Sequence, residues 1–546
     1  MKIKIILVLS ILVITSHAQN KKEIRYILNQ VSADAIKGHM TFLADDLMEG
    51  RLPGTRGFSL TAKYIETSLI SLGIQPGVRG ASYIQQVPLK KGSVDENESG
   101  IILHNGSKEE KLVYGKDFIL NPYFSNERSV IGAPLVFAGF GVSAPELNYD
   151  DYKDIDVRGK IVVYINSAPQ TFPTSERAYY SSTDEKYAAA IRRGAVGIIS
   201  FTLPSSKRTT WDATLKRARQ GSYKWRDGEA VVKSYPELNA VASFNNEKAE
   251  KLFINAATPL QKILGLAAEG KSISMPLNIS ASISVKTQFK SVESCNIVGM
   301  IKGSDAALQN EYVVYSAHMD HFGIASPVKN DSIYNGAHDD ASGMSILLEI
   351  AKAYRSLSVP PKRSVIFAFV TGEEMGLLGS DYFINNPPVN GKIVANLAID
   401  MPFFFHPVLD IVPYGADHST LGKQTEKAAK MLDLKISPDP IPEQVVFIRS
   451  DHYSFIKKGI PALFIKSGFM TVPSDTTDRS RTDVSWRSSI YHTPQDDMNQ
   501  PFDFNAATTH VKINFLIGLF TANEIQPPAW NKNDFFGLKF KGPMSK

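Results

Sequence analysis

Cysteine is nearly missing from this sequence: Cys295 stands alone among 546 residues. No internal disulfide is available, so stability must come from packed cores and bound ions. Long apolar runs are missing too. Beyond the first residues, no stretch reaches the roughly 18 apolar residues that a helical membrane span needs. A large excess of charge of one sign is missing as well. The formal net charge of +5 falls to +3 without Lys2 and Lys4, too little to imply nucleic acid or another polyanion as partner. His-Glu-x-x-His is absent, which excludes one zinc held by two histidines on a single helix. No internal repeat or low-complexity tract is visible, and 43% hydrophobic with 21% charged residues is the balance of a globular protein.

What is present begins with a basic start, Met1-Lys-Ile-Lys4, an apolar run from Ile5 to Thr15, and Ser16-His-Ala18. This pattern reads as a secretory signal over 1–18, cleaved before Gln19. Gln19 offers no thiol for lipid attachment, so no stable membrane anchor is expected. Export without disulfides fits a bacterial periplasmic or secreted protein.

The organising stretch is Tyr312 to Asp400, where three β-rich apolar runs each break off at chemistry. Tyr312 to Ala317 ends at His318 and Asp320, Ser364 to Val370 is followed by Glu373-Glu374, and Ala395 to Ile399 ends at Asp400. Such runs read as buried parallel strands. Met344 to Tyr354 has helical spacing and lies between the first two runs. The alternation predicts an α/β fold, a mixed, mostly parallel sheet sandwiched by helices, with function at the carboxyl ends of the strands.

Elsewhere, Leu43 to Gly57 is turn-rich and Ser59 to Leu72 reads as a helix ended by Gly73. From Gly132 short strands and turns give a smaller α/β or β-rich module. Val445 to Phe455 and Gly459 to Ile465 read as a further strand pair, and Thr509 to Thr521 as a closing helix. The domain reading is a discontinuous main domain over 19–126 and 290–525, an insert over 127–289, and a peripheral tail over 526–546. Lys207 to Arg226 interleaves basic residues with Trp211, Tyr223 and Trp225, a pattern able to grip single strands. The small net charge favours a solvated loop or flap instead.

Singly, each acidic or imidazole residue could be structural: Asp339-Asp340 could cap a helix, and Glu373-Glu374 could start one. Together, two imidazoles and three carboxylates are nitrogen and oxygen donors that suit zinc. Five donors exceed the need of one catalytic zinc, so two metals sharing a carboxylate is the economical arrangement.

The segments Ser316-Ala-His-Met-Asp320, Gly336-Ala-His-Asp-Asp-Ala-Ser-Gly343, Thr371-Gly-Glu-Glu-Met-Gly-Leu-Leu-Gly-Ser380, Ile399-Asp-Met401, Ser450-Asp-His452 and Tyr491-His-Thr-Pro494 resemble the motifs of the co-catalytic two-zinc aminopeptidase family. Glutamate carboxypeptidases, glutaminyl cyclases and the transferrin receptor are relatives. Phe42 to Leu72 is similar to the family's N-terminal segment, and Ala133 to Phe201 resembles its protease-associated insert. The resemblance implies two Zn2+ per chain. His318 and Asp400 would bind one, Glu374 and His492 the other, and Asp339 would bridge them. It further implies Glu373 as general base, Asp320 as a partner of His318, Tyr491 as a donor to the developing oxyanion, and a cis peptide between Asp339 and Asp340. His321 and His452 read as structural or outer partners. His338 stands where relatives often carry a smaller polar or acidic residue. Pro402 to Pro407 is an aromatic run, either core or a wall of the substrate pocket.

The expectation is an exported zinc aminopeptidase acting on peptides. Rivals of the same fold are a carboxypeptidase or dipeptidase, with Arg449 as a clamp for the terminal carboxylate, a glutaminyl cyclase-type acyltransferase, and a non-catalytic binding protein. None of the five expected ligands is missing, which weighs against the last.

Overall fold

Four strands are apolar on both faces, and they form the parallel centre of the sheet. The long strand Ser274–Ile301 is β1, Glu311–His318 is β2, Ser364–Val370 is β3, Lys392–Ala398 is β4, Asp410–Tyr414 is β5 and Ala462–Ser467 is β6. β3, β2, β4 and β6 lie parallel in that spatial order, with β1 and β5 antiparallel on the two flanks. Burial on both faces explains why their sequences do not alternate. The computed structural model describes residues 21–204 and 210–545; the expected signal over 1–18 lies outside them.

The helices that flank the sheet include α1 (Ala33–Leu43), α2 (Arg56–Ser71), α3 (Ser342–Arg355), α4 (Leu378–Asn385) and α5 (Phe504–Asn523). On one face, Val313, Tyr315 and Ala317 of β2 pack with Met344 and Leu347 of α3 and Val511 and Phe515 of α5. On the other, Val314, Ile366 and Ala368 pack with Phe383 of α4 and with Phe455. Local signals fix the helix starts: Ser32, Thr55 and Asp503 cap α1, α2 and α5 through side-chain oxygens. Among the described residues, no helix is long and apolar enough to cross a membrane.

The chain divides into two units. One holds the described residues up to Val87, Ser294–Ile441 and Arg449 onward; the other holds Pro88–Glu293 and Pro442–Ile448. The smaller unit thus begins earlier than residue 127, where the texture of the sequence changes. Its centre is a sheet in which Ile161–Ile165 pairs in parallel with Leu135–Phe137 and with Gly197–Phe201, which in turn pairs in parallel with Ala240–Phe244.

Three expectations need correction. Val445 to Phe455 is not a strand but a 3-10 turn over Val446–Ile448 and a short helix over His452–Ile456. Its β-branched residues gave a strand signal that tertiary context overrides. The tail is not peripheral: Trp530 is fully buried, and its indole donates to Gly459 O at 2.8 Å. In the basic-aromatic stretch, 207–209 lie outside the described residues. Tyr223 and Trp225 are buried in a strand paired with Leu89–Gly92, and Trp211 donates to Gly115 O at 2.7 Å, so these rings offer no stacking platform.

Candidate metal centre

Strand ends deliver the site. His318 is the last residue of β2, Glu373 and Glu374 follow β3, and Asp400 follows β4, while Asp339 stands just before α3. Asp339 is at the centre. His318 Nε2 lies 3.1 Å from Asp339 Oδ1, and His492 Nε2 lies 3.2 Å from Oδ2. His492 Nε2 is also 3.2 Å from Glu374 Oε1. His318, Asp339 and Asp400 bring donor atoms within 4.8 Å of one another, and so do His321, Asp339 and Glu374. Thus the structure brings together His318, Asp339, Glu374, Asp400 and His492, with Glu373 next in the chain.

The surrounding bonds explain how these groups are held. Asp340, in cis linkage to Asp339, accepts from the backbone N–H of His318, Gly343 and Met401 at 3.2, 3.0 and 3.2 Å. It ties the ends of β2 and β4 to the start of α3. Gly343 is needed there, since a Cβ would fall 2.3 Å from Asp340 Oδ1 and 2.4 Å from Ile399 O. Asp320 was expected to partner the His318 side chain. Its carbonyl lies 3.1 Å and its carboxylate 3.9 Å from His318 Nδ1, and that carboxylate also accepts the backbone N–H of Glu373 and Glu374 at 3.1 and 3.2 Å.

Two residues were missed by sequence reasoning. Asp496 accepts the backbone N–H of His338 and Asp339 at 2.8 and 3.0 Å. Arg51, fully buried, donates to the carbonyls of Met319, Leu43, Asn335, Gly336 and Asp339. Both reach backbone more than 150 residues away, which no local pattern encodes; the only trace of Arg51 was its turn-rich setting.

The electrostatics are those of crowded carboxylates and imidazoles. Burial pushes Asp339 up, but His318, His492 and His321 outweigh it and hold its carboxyl well below the usual range. Burial opposes ionisation of Glu374 too, yet His492 and His321 bring it to about 2. Glu373 goes the other way, since burial and then Glu374, Asp400 and Asp451 push it well above the usual range. Two adjacent glutamates pushed in opposite directions suit different tasks.

The donor chemistry fits divalent metal. The Nε2 atoms of His318 and His492 face carboxylate oxygens at 3.1 to 3.2 Å without the alignment of hydrogen bonds, and both are buried. Imidazole nitrogens and carboxylate oxygens with no thiolate are zinc-type donors.

The aromatic run after Asp400 is largely core. Phe403, Phe404 and Phe405, with Trp486 and Phe502, surround His338 at ring distances of 5.0 to 6.0 Å. Phe403 and Trp486 also cluster with Tyr491, whose ring lies against that of His492. His338 sits inside this cage, away from either donor set.

Fold and site together define the class: an α/β protein with a nitrogen- and oxygen-lined candidate metal centre at the ends of its parallel strands. Residues 296–516 match the profile of Peptidase family M28. A probable leucine aminopeptidase 2 of Aspergillus oryzae is 30% identical over 248 residues, which cover 44% of this chain and 45% of that protein. The probable leucine aminopeptidase 2 of Aspergillus fumigatus is 29% identical over 191 residues, 34% of this chain and 35% of the other. Aminopeptidase NAALADL1 of Rattus norvegicus is 24% identical over 361 residues, 57% of this chain and 45% of the other. The chain therefore spans less than half the length of these relatives. Among solved structures, an aminopeptidase from Aneurinibacillus sp. strain AM-1 shares the fold, with a TM-score of 0.54 at 19% identity over 92% of this chain and 97% of that one.

Proposed function

We propose that this chain is a zinc-dependent aminopeptidase that removes N-terminal residues from peptides, with two Zn2+ per chain. The observation that carries the reading is the sharing of Asp339, one oxygen toward His318 and the other toward His492. In this reading His318 and Asp400 hold one ion, Glu374 and His492 the other, and Asp339 both. Two ions so held would lower the pKa of a shared water to near 7 and polarise the scissile carbonyl.

The chain's own residues supply the rest. Glu373, placed by the Asp320 carboxylate through its backbone N–H, receives the proton of the attacking water and returns it to the leaving amine. Tyr491 donates its hydroxyl hydrogen to the carbonyl oxygen as charge develops; burial pushes the phenol up, so it keeps that hydrogen at neutral pH. The carboxyl groups of Asp400 and Glu373 offer oxygen acceptors for a free α-amino group. The smaller unit is read as the protease-associated insert. The 1–18 pattern supports export, bacterial periplasmic or secreted, with peptides as partners and no nucleic acid or stable membrane anchor.

A second reading, C-terminal trimming, draws support from Lys466 at the end of β6. The residue is nine-tenths buried, and its ammonium lies 4.8 Å from the Phe464 ring and makes no hydrogen bond or ion pair among the described residues. A buried cation of this kind can take a terminal carboxylate. Native mass spectrometry of the zinc-reconstituted chain tests the metal reading. Two ions in the wild type, with one lost in Asp400→Ala, are expected; a single ion in the wild type contradicts it.

A further inference from the structure

The histidine of the second donor group is not the one the motifs single out. His321 lies three residues beyond His318, in the turn after β2, and its Nδ1 stands 3.0 Å from Glu374 Oε1. Its donor atom is within 4.8 Å of those of Asp339 and Glu374. The residue is fully buried, and neither ring nitrogen makes a hydrogen bond. Its position is tightly set: a Cβ on Gly336 would fall 2.7 Å from its Cγ, and the Phe322 and His492 rings stand 4.9 and 5.9 Å away. A neutral imidazole buried with both nitrogens unmet is expensive, and a bond to metal meets one of them.

We propose that His321 is itself a metal ligand, completing a four-donor set with Asp339, Glu374 and His492. The inference rests on the two-ion reading for its wider meaning, since His318, Asp339 and Asp400 are then left as a three-donor set. Four protein donors are the pattern of a closed zinc site, and three with an open position that of a catalytic one. The two sets would then be unequal: four residues would hold the ion at His321, the more tightly, and three the ion at His318 and Asp400.

Zinc K-edge absorption spectroscopy of the zinc-loaded full chain, paired with chelator titration, tests this. The wild type should show three imidazoles bound per chain, and His321→Ala two. The variant should lose more than about 100-fold in affinity for one ion and keep the other, beyond the roughly 10- to 100-fold that an outer partner of a ligand costs. His321→Gln, which keeps the buried volume, gives the same reading if the alanine variant does not fold. Two imidazoles in both proteins, an affinity loss below about 100-fold, or equal loss at both ions overturns the assignment. Failure of the two-ion reading is separately visible as a wild type holding one ion, whose imidazole count still reports whether His321 binds it.

Discussion

The Nε2 of His318 stands 3.1 Å from Oδ1 of Asp339, a contact that joins the end of β2 to the residue before α3. The other Asp339 oxygen faces His492, so one buried carboxylate draws in segments more than 150 residues apart. An arrangement like this pulls apart when its counter-charges go. Zinc should therefore raise the unfolding midpoint and a chelator should lower it, by about 2.7 kcal/mol of stability at a free zinc concentration 100 times Kd. Calorimetry with and without chelator checks this; an unchanged midpoint counts against a site made by these residues.

Glu373→Gln keeps the shape of the side chain and removes its basicity. It should retain both ions and the native midpoint while turnover drops by about 10²- to 10⁴-fold. Metal content and steady-state rates measured on the same sample decide the matter. Full activity would remove Glu373 from the role of base.

Asp320 holds the Glu373-Glu374 backbone through two buried N–H donors. Asp320→Ala should cost about 1–3 kcal/mol for each donor left unmet, and should weaken the ion at Glu374 more than the ion at Asp400. A variant that lowers both affinities equally would place the Asp320 carboxylate in a general structural role instead.

Much of this site was legible because strands in a parallel sheet are buried on both faces, so their charged ends stand out. β2, β3 and β4 appear in the sequence as largely apolar runs, and the helix α3 as a clear 3.6-residue pattern. What stayed hidden works across distance. Arg51 bonds the carbonyl of Met319, 268 residues away, and Asp496 the N–H of His338, 158 residues away. His321 looked structural because nothing in the local spacing aims its ring at Glu374. Val446 to Ile448 misled because β-branched residues signal strand even where Ser450 and Asp451 introduce a helix.

Arg51 predicts its own intolerance. Its guanidinium serves carbonyls from three separate segments, so Arg51→Ala should destabilise the larger unit by about 3–5 kcal/mol. Arg51→Lys should not rescue it, because an ammonium cannot reproduce the planar fork of donors. Denaturant unfolding of both variants checks this, and a lysine variant of native stability would contradict it.

Lys186, in the smaller unit, gives a pH signature. Burial lowers its pKa to about 7, against the raising effect of Asp151, and its ammonium donates to Phe140 O and Ser167 O at 2.5 Å each. Between about pH 7 and 10.5 the unfolded chain binds this proton and the folded chain does not, so stability rises with pH across that window. Relative to Lys186→Met, the wild type should gain on the order of 3 kcal/mol between pH 7 and pH 9.5. A flat difference would show that Lys186 stays charged when folded.

The central claim is the direction of attack on a peptide. Zinc-loaded protein should be given matched peptides with free and N-acetylated amino termini, and the products identified by mass spectrometry over time. Stepwise loss of N-terminal residues from the free peptides alone is the predicted result. Trimming from the carboxyl end, attack on the acetylated peptides, or no cleavage with metal bound would contradict the aminopeptidase.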